Sequence, residues 1–257
     1  NELAMYCLAS LPGPFPANLP WEALRRIGVD ETQQLRELAE KEPIKFLERC
    51  LAEYEKNVQS YRTTFLKQER VKGKLRKPEE LTVNFREKPF SVHMLWLKGM
   101  DLAKRSMYVE GENGGKLLAL PTLEFLGIWT KAVDDPAAMA TSRFPITQFG
   151  MKIGAMNTLR SIRAAEARKQ LHLRFEGIET VAKLGDRPCY KFNRFKYDPP
   201  EEDNVGSMTF YIDQELLMQT GSTLYDTNGE LVAEYFFRDI ELNPTFPADE
   251  FTKKAMK

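Results

Sequence analysis

The sequence predicts an α+β fold: an unclosed antiparallel β half-barrel of about ten strands, with helices packed on its concave side. Two blocks of period-two alternation, at 58–120 and 171–243, are punctuated by Gly-, Asn- and Pro-containing turns, the pattern of antiparallel meanders. Helical periodicity precedes the first block, at 31–57, and separates the two blocks, at 146–170. Strands do not alternate with helices one for one, which argues against a parallel doubly wound sheet. About ten antiparallel strands curl strongly, and helices set against the curl keep a barrel from closing. The expected organisation is a Pro-rich arm at 1–29 followed by one domain at 30–257.

The arm, with LPGPFPANLPWEAL, reads as irregular chain ending in a short helix near 21–27, with Trp21 packed on the body. Asp30 is expected to cap a helix at about 31–40, with Leu35, Leu38 and Ala39 inward. Pro43 fits the first turn of a second helix, whose inward stripe is Phe46, Leu47, Cys50, Leu51, Tyr54 and Val58. In the first strand Tyr61, Thr63, Phe65 and Lys67 share one face. Strands follow with Leu81, Val83 and Phe85 on one face, then Val92, Met94 and Trp96, opposite Ser91 and His93. Two more strands flank the EGENGG turn, where Gly and Asn accept positive φ at little cost. Residues 121–145 break the alternation. The apolar groups Leu123, Phe125, Leu126, Ile128 and Trp129 are too many for a solvated connection, so this loop is expected to be a lid. The 146–170 helix is expected to bury Ile146, Phe149, Ile153, Met156, Leu159 and Ile162. Five strands complete the second block at about 171–243, and a C-terminal tail is anchored by Phe246 and Phe251.

Composition narrows the function. The 257 residues carry 37 Lys plus Arg and 37 Asp plus Glu, a formal net charge of zero. That excludes bulk attraction to nucleic acid or to an anionic membrane. No apolar run reaches the roughly 18 residues that span a bilayer. Cys7, Cys50 and Cys189 lack the spacing of a zinc site. A Cys7–Cys50 disulfide is open, with Cys189 then a buried thiol.

Catalytic signatures are sparse. His93 and His172 have no motif partner and read as structural or surface groups, and no phosphate-loop, nucleophile-elbow or HExxH motif is present. Glu69 and Glu110 are an acid/base pair only if they meet across the sheet. Arg62, Arg70, Arg86 and Arg105 fall in neighbouring strands as a basic strip, most simply an ion-paired outer face. Neither a metal nor a cofactor is expected. Abundant Met and 16 Phe suit an adaptable apolar cavity, and equally an ordinary core.

The run YRTTFLKQERVKGKL…VNFREKPFSVHMLWLKG…KRSMYVEGENGGKL resembles a bacterial family labelled domain of unknown function 1571. FPITQFGMK, GDRPCYKF, MTFYIDQELLM and ELNPTFPADEF continue the resemblance in order, from about residue 43 to 251. That family is similar to the LolA/LolB-type outer-membrane lipoprotein carriers. This implies a LolA-like half-barrel sheltering acyl chains, export to the periplasm with a processed signal peptide, and no catalytic residues. Arg86, in NFREKP, is the position matching the carriers' cavity arginine, although LRKPEELTVNFREKP departs from their usual Pro…Phe-Arg-Trp run.

The resulting expectation is a non-enzymatic envelope protein that binds a lipophilic ligand or lipoprotein acyl chains. Its expected binding residues are Val83, Phe85, Arg86, Val92, Met94, Trp96, Phe125, Trp129, Phe149, Ile153 and Met156. The expected partners are that ligand and an envelope protein, with no nucleic acid, and the chain is expected to be a monomer. The alternative is a structural or interaction module whose concave face is filled by its own side chains. A hydrolase built on Glu69, Glu110 or His93 requires those groups to converge in one cleft.

Overall fold

The structure, a computed structural model, describes residues 21–257, with side chains from residue 31 onward. The Pro-rich arm, Cys7 and the packing of Trp21 lie outside what it describes. Helix α1 (Trp21–Lys41) is continuous, so Asp30 lies within it and does not cap a new helix. Pro43 opens α2 (Pro43–Asn57) as expected, because a first-turn position has no intrahelical N–H partner to lose. Phe46, Leu47, Cys50 and Tyr54 are its buried stripe. Cys50 is a buried thiol pushed up to about 12 by desolvation.

The first block is β1 (Ser60–Val71), β2 (Lys74–Leu75), β3 (Glu79–Arg86), β4 (Ser91–Lys98), β5 (Ala103–Val109), β6 (Leu117–Pro121) and β7 (Trp129–Lys131). The second is β8 (Leu173–Val181), β9 (Arg187–Arg194), β10 (Val205–Asp213), β11 (Gln219–Asp226) and β12 (Leu231–Leu242). They form one 12-stranded sheet in the order β7-β6-β5-β4-β3-β1-β12-β11-β10-β9-β8, with β2 paired only to β1. All ten expected strands are present. The short strands β2 and β7 are additional, since two or three residues cannot register as alternation. The sheet is antiparallel throughout and its edges, β7 and β8, remain apart: an unclosed half-barrel.

Between those edges the chain crosses the inner face through a short helix α3 (Pro136–Met139) and α4 (Met151–Ala167). Gly150, at φ 133°, separates α4 from the preceding turn of Ile146–Gln148. The first N–H of α4, on Met151, donates to the Tyr61 hydroxyl at 3.3 Å. The buried face of α4 is Met151, Thr158, Ile162 and Ala165, which corrects the expected stripe. Ile153 and Ile162 are nine residues apart, which at about 100° per residue puts them on opposite sides of a helix.

Two clusters fill the inner face. Helices α1, α2 and α4 cover the second block, where Phe46 and Ile162 pack against Tyr190, Phe192 and Phe210. Over the first block, Tyr61, Phe65, Leu81, Val83, Phe85 and Val92 form the other cluster. Among the described residues no helix is long and apolar enough to cross a membrane.

The outer face of the first block carries the C-terminal tail. The Arg62 guanidinium lies 5.6 Å from the Phe246 ring centre and that of Arg86 lies 4.7 Å from Phe251. Arg105 donates to the Ala255 carbonyl at 2.7 Å, and Met256 is fully buried against Met107, Val109, Leu118 and Leu120. Three of the four arginines of the basic strip thus hold the tail, while Arg70 pairs with Glu230 at 3.2 Å. Phe246 and Phe251 anchor it as expected, edge to face at 5.2 Å.

The Glu250 carboxylate fixes the tail by accepting from Asn84 at 2.6 Å and from His93 Nδ1 at 2.7 Å. Burial works to raise its pKa, but the hydrogen bonds from His93 and Asn84 and the nearby Arg62 outweigh it and hold it below the ordinary 4.5. A carboxyl held below its unfolded value stabilises the fold above that value, and the contribution is lost as pH falls through the folded value. Hydrogen exchange in residues 244–257 is therefore expected to be slow at pH 7 and to accelerate, relative to the sheet, below about pH 4. Glu250→Gln should lose that acid dependence.

Candidate lipophile cavity

Alternation aims the odd-numbered residues of β1 and β3 and the even-numbered residues of β4 at the inner face. The 121–149 segment roofs them, leaving a cavity of about 320 Å³. Small-molecule sites span about 300–1,000 Å³. Phe65, Leu81, Met94, Phe149, Met151 and Phe237 form its apolar wall. Gly154 on α4 faces the same space, and a Cβ there would meet nothing within 4 Å.

One end of the cavity is polar. Lys67 Nζ lies 3.0 Å from Glu69 and 3.4 Å from Glu79, with side-chain exposures of 10%, 4% and 13%. The Tyr235 hydroxyl donates to Glu69 at 2.7 Å, and the Trp96 indole N–H donates to Glu79. Burial works to lower the pKa of Lys67, but Glu69 and Glu79 overcome this and raise it, so the side chain is an ammonium at neutral pH. Burial pushes the Tyr235 phenol well above its ordinary value, keeping it a neutral donor.

The roof is tied to this cluster. Arg143, almost fully buried, donates to Asp203 at 2.8 Å and reaches the Tyr235 hydroxyl at 3.4 Å. Where the roof meets the β4–β5 turn, Leu102 and Trp129 both line the cavity and reach solvent, marking its mouth. Leu123, Phe125 and Leu126 are exposed beside Trp129 in the chain, Phe125 by 82%. Apolar groups this exposed and this close in sequence make a surface patch that water does not favour.

A family model described as Protein of unknown function (DUF1571) matches residues 58–257. The chain belongs to the DUF1571 family. Solved structures similar to this DUF1571 chain include MucB, at 16% identity and TM-score 0.48, covering 82% of this chain and 62% of that one. The chain thus spans less than two thirds of MucB. The lipoprotein LppX of Mycobacterium tuberculosis is 12% identical at TM-score 0.47, covering 80% of this chain and 98% of that one. A LolA superfamily protein from Nitrosomonas europaea is 9% identical at TM-score 0.32, covering 81% and 98%. No curated protein matches the sequence.

Within the DUF1571 chain, four of the residues singled out from sequence stand on the cavity wall: Met94, Trp96, Trp129 and Phe149. Val83, Phe85 and Val92 face the same side but are fully packed in the adjoining core. Phe125 points to solvent because the chain loops out from β6 before returning to the ladder at Trp129. Ile153 is part-buried and Met156 is 39% exposed, and neither lines the cavity, following the phase error described for α4. Arg86 alternates with the inward Phe85, so it lies on the outer face, over Phe251 and donating to Ser91 Oγ at 3.0 Å.

The Glu69, Glu110 and His93 constellation does not form. Ser60, Arg86, Ser91 and Val109 stand abreast across β1, β3, β4 and β5, placing Glu110 at that end of the sheet. Glu69 is nine residues further along β1, about 30 Å away. His93 faces the tail on the other side. His172 packs its ring against Phe195 at 5.5 Å. The residues sequence reading missed are Glu79 and Tyr235, together with the inward role of the Lys67–Glu69 pair.

Proposed function

We propose that this DUF1571 protein is a non-enzymatic cell-envelope protein that binds a lipophilic ligand, an acyl chain or lipid, in the cavity beneath the 121–149 roof. The observation that carries the reading is the unfilled apolar volume of about 320 Å³. Its lining is mainly apolar, and a concave, mostly apolar space of this size with a few polar groups is the usual form of a small-molecule site. Burying an alkyl chain there is worth about 0.8 kcal/mol per methylene, and roughly ten methylenes offset the entropic cost of association. Leu102 and Trp129, which line the cavity and are exposed, give a lipophile apolar contacts at the mouth. The same unfilled volume speaks against the rival reading of a self-filled interaction module. The envelope location belongs to this proposal and is supported by the similarity of the DUF1571 family to exported lipoprotein carriers.

Native mass spectrometry of protein purified without detergent, followed by solvent extraction, tests the reading. It predicts one lipophile per chain, carried through purification or taken up from added monoacylglycerol. A chain that neither carries nor accepts one would overturn it.

A further inference from the structure

The polar end of the cavity has a sign. Among the described residues its lining includes the carboxylates Glu69, Glu79, Asp101 and Asp135 against the ammonium groups of Lys67 and Lys131. Asp101 is taken up by Arg76, and Lys131 pairs with Asp135 at 3.5 Å. Arg143, which does not line the cavity, pairs with Asp203 and reaches Glu69 only through the Tyr235 hydroxyl. What remains is one ammonium shared between two buried carboxylates, Glu69 and Glu79. An incoming carboxylate or phosphate meets two negative charges and a cation already engaged by both, in a setting where like charges repel far more than in water. A donor meets the opposite situation. A carboxylate offers about four lone-pair sites, and Glu69 accepts from Lys67 and Tyr235 while Glu79 accepts from Lys67 and Trp96, so each has acceptor capacity left. The β4–β5 turn that carries Asp101 and Leu102 packs against the start of β3 at Glu79, where Gly99 approaches the Pro78–Glu79 backbone, while Phe65, Phe149 and Phe237 line the apolar wall.

We propose that the cavity selects amphiphiles whose head group is non-anionic and donates hydrogen bonds, an amine, hydroxyl or amide, and discriminates against carboxylate and phosphate heads. The head lies at Glu69 and Glu79 and the chain runs under the roof. This rests on the lipophile-binding reading above and adds the chemical class of ligand.

The test titrates the full chain, by calorimetry at neutral pH and below the micellar range, with three probes of one chain length: dodecylammonium, monolauroylglycerol and laurate. Laurate is expected to bind at least about tenfold more weakly than either of the others, the scale of one charge-assisted hydrogen bond lost. Glu79→Gln, which leaves the Lys67–Glu69 pair neutral overall, should narrow that ratio below about threefold. Its folding is checked by circular dichroism, and the wild-type ratio decides the matter if it does not fold. Laurate binding as tightly as monolauroylglycerol overturns the charge selection and leaves the lipophile reading standing. Binding of none of the three overturns both.

Discussion

Gly154→Phe is expected to abolish lipophile binding while leaving the fold intact or slightly more stable. Gly154 sits inside α4 with ordinary helical geometry, lines the cavity, and has open space where a side chain would project. A ring placed there occupies the volume a ligand needs and finds the apolar wall as its own surroundings. Replacing an interior helical glycine also recovers part of the roughly 0.8–1 kcal/mol that glycine costs relative to alanine. Affinity for monolauroylglycerol should fall by at least about a hundredfold, the loss of roughly 3 kcal/mol of chain burial. Gly154→Ala is the control: it should keep binding and gain up to about 1 kcal/mol in urea unfolding. Retained affinity in the Phe variant would place the ligand elsewhere.

The second large effect is on stability. Lys67→Met keeps the length and apolar stem of the side chain but leaves Glu69 and Glu79 facing each other, both nearly buried. Removing one partner of a buried ionic cluster costs about 3–5 kcal/mol, because the remaining charge has lost its water and its counter-ion together. Urea denaturation should register a loss of that size. Adding Glu69→Gln and Glu79→Gln to Lys67→Met should restore most of it, since a neutral trio carries no uncompensated charge. A single-variant loss below about 1 kcal/mol would mean that the cluster is solvated rather than buried.

Alternation is a local property, and it located ten strands and the face each side chain takes. Tyr61, Phe65, Val83, Phe85, Met94 and Trp96 all face inward, as their spacing requires. The helix between the blocks was placed but misphased, because apolar residues recurring every three positions look periodic while drifting around a 3.6-residue helix. Gly150 also breaks the segment, which no count of apolar residues reveals. The cavity's polar end was harder to read. Lys67 shares a face with Tyr61 and Phe65, and Glu69 continues that alternation, but charged residues in a strand are ordinarily at the surface, so the pair did not read as inward. Their partners Glu79, Trp96 and Tyr235 come from three other strands, and only register brings them together. Arg86 shows the opposite failure. A resemblance pointed it at the cavity, while its own alternation with Phe85 put it on the outer face, under the tail.

The most direct test uses the tryptophans. Of the chain's three, Trp96 and Trp129 line the cavity. Titrating the full chain with monoacylglycerol brominated along its acyl chain reports contact, because bromine quenches indole fluorescence at short range. A lipophile within the cavity predicts saturable quenching at one ligand per chain, reversed by unbrominated competitor and absent in Gly154→Phe. Quenching that rises linearly without saturation, or persists unchanged in Gly154→Phe, would contradict a binding cavity beneath the roof.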